Sequence, residues 1–202
     1  MPKPPVPKAS VSDRRAELLN LAAGLFAERG YKNTTVRDIA DAAGILSGSL
    51  YHHFDSKETM ADEILRTFLD GLFRDYRAIA ERENDPRRAF EELVHASFQA
   101  IDRNHSAIAL YQNEAKQLRQ SPRFAYLDQT DREFREIWLG TLEKGIASGA
   151  FRADLDATMA YRFVRDTVWV AVRWYVPGGK LTADAVSAQY LSMILEGFQS
   201  RS

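Results

Sequence analysis

Residues 47–54 (SGSLYHHF) combine small, hydroxyl-bearing and aromatic side chains in one short segment. Leu50 and Phe54 are four residues apart, so on a helix they share one side and can anchor it to a core. Hydroxyl and imidazole groups on the other side can reach phosphates or base edges, which small residues allow to come close. The residues left to face outward are Ser47, Ser49, Tyr51 and His52. The segment therefore predicts contact with nucleic acid.

Several of these residues also have ordinary structural interpretations. Tyr51 can be a partly buried aromatic residue, and His53 fits packing or capping better than a contact. His52 and His53 predict no metal site, because consecutive side chains diverge on a helix and no third ligand lies four residues on. Lys57 can be a solvated lysine, but a cation in a first helical turn opposes the helix dipole and suits a bound phosphate. We predict a phosphate contact for Lys57.

A second polar group recurs at four-residue spacing inside an apolar segment near the C-terminus, which places it on one side of a helix. This ladder consists of Tyr161, Arg165, Trp169 and Arg173. In one interpretation the ladder lines an effector pocket, where tryptophan offers apolar surface and the arginines receive a carboxylate or phosphate. In the other, Arg165 pairs with Asp166 or Glu114 and Trp169 fills the core. Both interpretations stay open at this point.

The elements that position these groups are predicted to be helices, because apolar residues recur at spacings of three and four instead of alternating. We expect an all-α fold of nine helices, three short and six longer. The turn at residues 43–45 (AGI) matches a helix-turn-helix. Alternative start residues remain at the second, third and fourth helices: Thr34 or Thr35, Ser47 or Gly48, and Asp55 or Ser56. The expected helices cover about 13–29, 35–43, 47–53, 56–82, 86–103, 106–118, 122–149, 156–175 and 182–198.

The composition is compatible with a soluble protein in a reducing cytosol. The chain has no cysteine, hence no disulfide framework and no thiolate metal site. Residues 1–12 are expected to be a disordered lead-in, and they lack the apolar stretch of a signal peptide. No apolar run approaches the roughly 18 residues needed to span a bilayer. A cytoplasmic location without membrane association is therefore expected.

The charge distribution is only mildly uneven. The net charge is -1, and residues 1–57 hold eight basic and six acidic residues, a surplus of only +2. The prediction of nucleic-acid binding therefore depends on the residue pattern and not on overall charge. We expect a helix-turn-helix DNA-binding domain over residues 13–57 and a ligand-binding and dimerisation domain over residues 58–202, which share a continuous fourth helix.

Motifs of common enzyme classes are missing from the sequence. It has no cysteine nucleophile, no phosphate-binding glycine loop, no HExxH motif and no pair of ExxH motifs. We expect no enzyme, no resident cofactor and no metal. Two other functions remain as alternatives: an architectural DNA binder without sequence preference, which the weak basic charge disfavours, and an activator, which the sequence does not distinguish from a repressor.

Residues 35–40 (TVRDIA), 43–45 (AGI), 48–54 (GSLYHHF) and 57–58 (KE) resemble the DNA-binding signature of the TetR family, over about residues 14–60. The resemblance implies a nine-helix repressor that binds a palindromic double-stranded operator as a homodimer and leaves it when a small-molecule inducer binds. It implies DNA contacts from the second helix at Thr35 and Arg37. Ser47, Gly48 and Ser49 match positions close to the bases. Tyr51, His52 and Lys57 match phosphate contacts.

Residues 37–57 and 165–181 further resemble an actinobacterial TetR-type repressor of genes that degrade the last two rings of the steroid nucleus. This resemblance implies that the inducer is an indanedione-propanoyl coenzyme A thioester. Such a ligand joins fused apolar rings to a polyanion, which is consistent with tryptophan beside arginine. Trp138 of the seventh helix completes the expected ligand-binding set. The alternative is a TetR-type regulator of another acyl-CoA or hydrophobic-ligand pathway.

The helix over residues 156–175 is apolar on two sides, which predicts burial on both. In the resembled family, the last two helices pair with their symmetry mates in a four-helix bundle, which supplies the second partner. We therefore expect the seam of a homodimer on residues 156–175 and 182–198. A charge introduced at Val186 or Leu195 is expected to disrupt it if the side chain lies in the seam.

Overall fold

The computed structural model describes residues 11–196, and every regular element in that range is helical. The α-helices are α1 (Val11–Arg29), α2 (Val36–Ala42), α3 (Ser47–Leu50), α4 (Lys57–Arg82), α5 (Pro86–Arg103), α6 (His105–Leu118), α7 (Tyr126–Ala147), α8 (Ala157–Trp169) and α9 (Ala183–Glu196). The prediction of an all-α, nine-helix fold is confirmed for this part of the chain. The predicted disordered lead-in, apart from residues 11 and 12 at the start of α1, and the predicted end of the last helix at Phe198 lie outside the described residues.

Three helix boundaries differ from the prediction by three residues or more, in each case because a tighter 3₁₀-type turn replaces the terminal α-helical turn. The third helix ends at Leu50, and residues 51–53 form a turn. The proline at position 122 opens a 3₁₀ turn (Pro122–Phe124), so α7 begins only at Tyr126. The eighth helix ends at Trp169 and continues as a 3₁₀ turn (Val170–Arg173) instead of running to residue 175.

The helices α1, α2 and α3 pack together through buried apolar side chains such as Phe26, Ile39 and Leu50. Gly44 links α2 to α3 with φ +65°, a left-handed conformation that glycine adopts without steric cost. The Ile45 amide donates to the Ala40 carbonyl at 3.0 Å and closes the turn. The two short helices are therefore held at a defined angle.

The fourth helix is 26 residues long and leads from this bundle into the body of the protein. Its buried face continues from Met60 to Tyr76 and Ile79, so both parts of the chain share one core. In the body, Tyr76 and Phe90 each meet the Trp138 ring edge to face, with centroid distances of 5.7 and 5.8 Å. The Tyr76 hydroxyl pairs with Ser97, which satisfies both buried groups.

Gly145 of α7 lies directly against the Phe151 ring, which leaves no room for a Cβ atom. We expect Gly145→Ala to destabilise the fold by about 1 to 3 kcal/mol through overpacking. Gly140, in the same helix, has nothing within 4 Å of its Cβ position, so Gly140→Ala should stabilise the protein by about 0.5 to 1 kcal/mol. Thermal unfolding measures both, and equal melting temperatures for the two variants would contradict this packing.

Candidate DNA-binding surface and effector cavity

The segment over residues 47–54 is anchored as its spacing predicts. Leu50 and Phe54 are buried against the core, while Tyr51 is 55% exposed. This exposure favours the predicted contact surface over the alternative of a partly buried aromatic residue at Tyr51. The exposed members of the predicted DNA-binding set are Thr35, Arg37, Gly48, Tyr51 and His52, and the half-buried members are Ser47, Ser49 and Lys57. The set thus lies at or near the surface of the helix-turn-helix.

Thr35 caps α2 through a reciprocal capping box with Asp38. The Asp38 amide donates to Thr35 Oγ1 at 3.1 Å, and the Thr35 amide donates to Asp38 Oδ2 at 2.7 Å. These bonds to Thr35 lower the pKa of Asp38. The Arg37 side chain is 84% exposed, with its Nε atom 3.7 Å from Asp41. A surface ion pair of this kind is weak, so Arg37 is free to exchange it for DNA.

Arg15 organises this surface, although the sequence did not indicate it. Its guanidinium lies 4.1 Å from the centre of the Phe54 ring, donates to the His53 carbonyl and pairs with Glu63, where the Nε to Oε1 distance is 3.0 Å. Arg15 of α1 therefore connects the end of the recognition segment, residues 47–54, to α1 and α4. These partners are 38 and 48 residues away in the chain, so no local spacing could reveal them.

Lys57 has a structural role that the sequence did not indicate. Its ammonium donates to the carbonyls of Tyr31 at 2.6 Å and Thr34 at 2.8 Å, and it lies 4.3 Å from the centre of the Tyr31 ring. Burial lowers the pKa of Lys57, and the nearby Glu114 carboxylate opposes that shift. The alternative of an ordinary solvated lysine is wrong. The contact of Lys57 with phosphate stays a prediction.

We expect Lys57→Ala to lower stability by about 1 to 3 kcal/mol, because two charge-assisted hydrogen bonds are lost. If Lys57 also contacts phosphate, the variant binds all DNA sequences more weakly. Its salt slope, the steepness with which the logarithm of the binding constant falls with the logarithm of the salt concentration, then decreases by about one. Thermal unfolding and binding titrations at several salt concentrations separate the two effects. The exposed Lys32 provides the matched control, Lys32→Ala. If Lys57→Ala is destabilised but its salt slope is unchanged, Lys57 only tethers the Tyr31 and Thr34 carbonyls and does not contact phosphate.

A cavity of about 580 Å³ lies in the body between α4, α6, α7 and α8. All five residues of the predicted ligand-binding set line it: Trp138, Tyr161, Arg165, Trp169 and Arg173. The structure therefore brings the ladder and Trp138 together around one space, although the ladder crosses from α8 into the 3₁₀ turn. Further apolar lining comes from Phe68, Leu72 and Ile108.

Both interpretations of the ladder describe part of what the structure shows. Arg165 Nε donates to Asp166 Oδ1 at 2.7 Å, and this hydrogen bond raises the pKa of the guanidinium. The half-buried Trp169 ring meets Phe68 edge to face at a centroid distance of 6.5 Å. Yet Arg165 remains largely exposed, and both residues line the cavity. Their structural contacts therefore do not remove Arg165 and Trp169 from the cavity wall.

The sequence missed several polar residues of the cavity, because they come from helices distant in the chain. Exposed cations at the rim are Lys116, Arg132 and Arg135. Arg119 and the Tyr111 hydroxyl both bond to Asp131. Burial and then the Asp131 carboxylate raise the pKa of Tyr111. The cavity thus carries both an acid held in a hydrogen-bonded network and a cationic rim.

Polar contacts connect the cavity walls to the helix-turn-helix. Glu114, one residue before the cavity-lining Ala115 of α6, accepts from the Tyr31 amide at 3.2 Å. The Ser121 hydroxyl donates to Glu58 in the first turn of α4 at 2.5 Å. The last turns of α6 are therefore in direct contact with the loop before α2, and the segment that follows α6 is in contact with the start of α4.

The outer faces of α8, the following 3₁₀ turn and α9 carry apolar side chains without cover from the chain itself. Phe163 is 62% exposed and Trp174 is 53% exposed. Others are Met159, Val170, Met193 and Ile194. By contrast, Val186 and Leu195 pack partly against the chain's own core. A charge at either position would therefore also disturb packing within one chain, and the place of Val186 and Leu195 in the seam stays a prediction.

A helix-turn-helix joined by one long helix to a helical body with an internal cavity defines a one-component DNA-binding regulator. Two family models match the chain: "Bacterial regulatory proteins, tetR family" over residues 18–64, and "Tetracyclin repressor-like, C-terminal domain" over residues 83–198. The chain belongs to the TetR family of transcriptional regulators. Among the described residues, no helix is both long and apolar enough to cross a membrane.

Two relatives are similar over nearly the whole chain. The HTH-type transcriptional repressor KstR2 of Rhodococcus jostii is 59% identical over 199 residues, which cover 98% of both chains. The repressor of the same name from Mycobacterium tuberculosis strain H37Rv is 54% identical over 187 residues, which cover 93% of this chain and 94% of that protein.

Solved structures show the same fold. The ketosteroid transcriptional regulator KstR2 of Mycobacterium tuberculosis has a TM-score of 0.90 and 53% identity, covering 95% of this chain and 98% of that chain. AibR, solved in complex with isovaleryl coenzyme A and operator DNA, has a TM-score of 0.77 and 20% identity, covering 89% of this chain and 97% of that chain. The second likeness concerns the fold alone.

Proposed function

We propose that this protein represses steroid-degradation genes and leaves its palindromic operator when a ring-bearing acyl-CoA binds in the cavity, namely an indanedione-propanoyl-CoA thioester. One observation carries this proposal: the cavity has a buried aromatic interior and an exposed cationic rim. Relatives at 53% to 59% identity are named as KstR2 repressors, and one solved relative is described as a ketosteroid regulator. These names support the assignment of the ligand class.

The chemistry of the cavity fits the two halves of such a ligand. Buried rings of Tyr76 and Trp138, together with Phe68, suit fused apolar rings. The exposed guanidinium groups of Arg165 and Arg173 suit the phosphates of coenzyme A, which can stay near solvent. In AibR the same fold is solved with an acyl-CoA and operator DNA.

DNA binding is proposed to belong to residues 13–57, and ligand binding and dimerisation to residues 58–202. The DNA contacts are proposed to come from Thr35, Arg37, Ser47, Gly48, Ser49, Tyr51, His52 and Lys57. Repositioning of α6 by a bound ligand would reach this surface through the Glu114 contact with the Tyr31 amide. A ligand shifts the equilibrium between two conformations only by its differential affinity for them, so the effector must bind better to the form with displaced recognition helices.

A homodimer is proposed because the exposed apolar faces of α8 and α9 would otherwise remain in water. A two-fold symmetric pairing of these faces buries them and places two recognition helices on one operator. Half-sites then lie about one DNA turn apart, roughly 34 Å.

A gel-shift titration tests the proposed effector. Operator complexes are titrated with indanedione-propanoyl-CoA, isovaleryl-CoA and free coenzyme A. We expect release by the ring-bearing thioester alone. Release by isovaleryl-CoA at equal or lower concentration would favour the alternative, a regulator of another acyl-CoA pathway. Native mass spectrometry of the purified protein provides an independent check for a retained ligand.

A further inference from the structure

Leu46 is 80% exposed, more than any other large hydrophobic residue among those described. It immediately precedes α3, the helix that carries the proposed base-proximal residues. The exposed apolar residues of the dimer seam all lie at residue 159 or beyond. Leu46 is therefore far along the chain from the proposed seam residues, and it belongs to the surface of the helix-turn-helix.

A leucine at this position is unfavourable in the free protein. Leu46 is the N-cap of α3, where serine, threonine or aspartate would bond to a backbone N–H, and no side-chain cap forms there. The neighbouring α2 and α4 do have such caps, from Thr35 and Ser56. The exposed leucine also leaves its apolar surface in water. Its presence points to a partner that the free protein lacks.

We infer that Leu46 contacts the 5-methyl group of a thymine in the major groove of the operator. This methyl group is the apolar feature that base pairs display in that groove. The Leu46 carbonyl accepts from the Ser49 amide at 2.9 Å, so the backbone from which the side chain projects is held in a fixed relation to α3. Gly48 has nothing within 4 Å of its Cβ position, so the first turn of α3 is open to a base edge. The inference rests on the proposed binding of operator DNA through α3.

The test uses the full-length protein, which first selects its operator from random duplex DNA. Each thymine of the selected site is then replaced by deoxyuridine, which lacks only the methyl group, in both half-sites. Dissociation constants are measured for the unaltered protein, for Leu46→Ser and for the conservative Leu46→Met. We expect one thymine position at which replacement by uracil raises the dissociation constant of the unaltered protein by about fourfold per half-site, the effect of losing one buried methyl group.

Leu46→Met should keep this discrimination, whereas Leu46→Ser should bind the thymine and uracil operators equally. Because serine supplies the missing N-cap, Leu46→Ser should also retain or raise the melting temperature, which excludes unfolding as the cause. The inference is overturned if Leu46→Ser discriminates as the unaltered protein does. It is also overturned if an operator is selected and none of its thymine methyl groups matters. Failure to select any operator contradicts the proposed function itself, and the inference with it.

Discussion

Arg165→Met and Trp169→Ala should each produce a repressor that needs a much higher concentration of the ring-bearing thioester for release from the operator. Arg165 offers a charge to the coenzyme A moiety, and a hydrogen bond to a charged group contributes about 1.5 to 3 kcal/mol. The effector concentration for half-release should therefore rise at least about tenfold. Operator affinity without effector should stay unchanged, because neither residue belongs to the DNA-binding set.

A gel-shift titration with the ring-bearing thioester measures this effect. Arg162→Met is the matched control for Arg165→Met, because Arg162 is exposed on the same helix and does not line the cavity. Trp169→Phe keeps an aromatic ring in the cavity and should be released at an intermediate concentration. Truncation of a fully buried tryptophan can cost about 3 to 5 kcal/mol, and Trp169 is half-buried, so the fold of Trp169→Ala is first verified by thermal unfolding. Release of both variants at the normal effector concentration would make Arg165 and Trp169 structural residues only.

Phe163→Glu and Trp174→Glu should convert the protein into monomers and abolish tight operator binding. Both side chains are largely exposed in the single chain, so a carboxylate there leaves the fold of one chain intact. In a dimer seam, the same carboxylate is buried without a partner, which opposes association. Loss of one of two linked recognition helices should reduce operator affinity by about 10² to 10⁴.

Sedimentation and DNA titration of the same samples test this prediction. Asn113→Glu on the exposed side of α6 adds the same charge away from the seam and should remain dimeric. Val186→Glu and Leu195→Glu should instead lower the melting temperature, because these side chains pack against the chain's own core. Dimers that persist in Phe163→Glu and Trp174→Glu with full operator affinity would place the seam elsewhere.

Local patterns in the sequence were sufficient to predict much of this protein. The four-residue spacing of Leu50 and Phe54 predicted the buried side of the recognition segment, because helical geometry alone decides which residues share a face. The capping threonine before α2 acts over three residues, so it too could be predicted. The family signature occupies one short stretch of the chain, and for that reason it could be recognised from the residues alone.

Only the tertiary structure decided which polar groups are free and which are engaged. Lys57 bonds to carbonyls 23 and 26 residues away, and Arg15 joins three elements, contacts that no local spacing encodes. The cavity likewise exists only where α4, α6, α7 and α8 fail to fill the space between them. Similarly, the helices that pack against α8 decide which of its apolar side chains are buried within one chain and which stay exposed. The sequence by itself determined the helices and the buried side of the segment over residues 47–54 through short-range periodicity. Long-range packing determined the cavity, the tethering cations and the exposed apolar faces of α8 and α9.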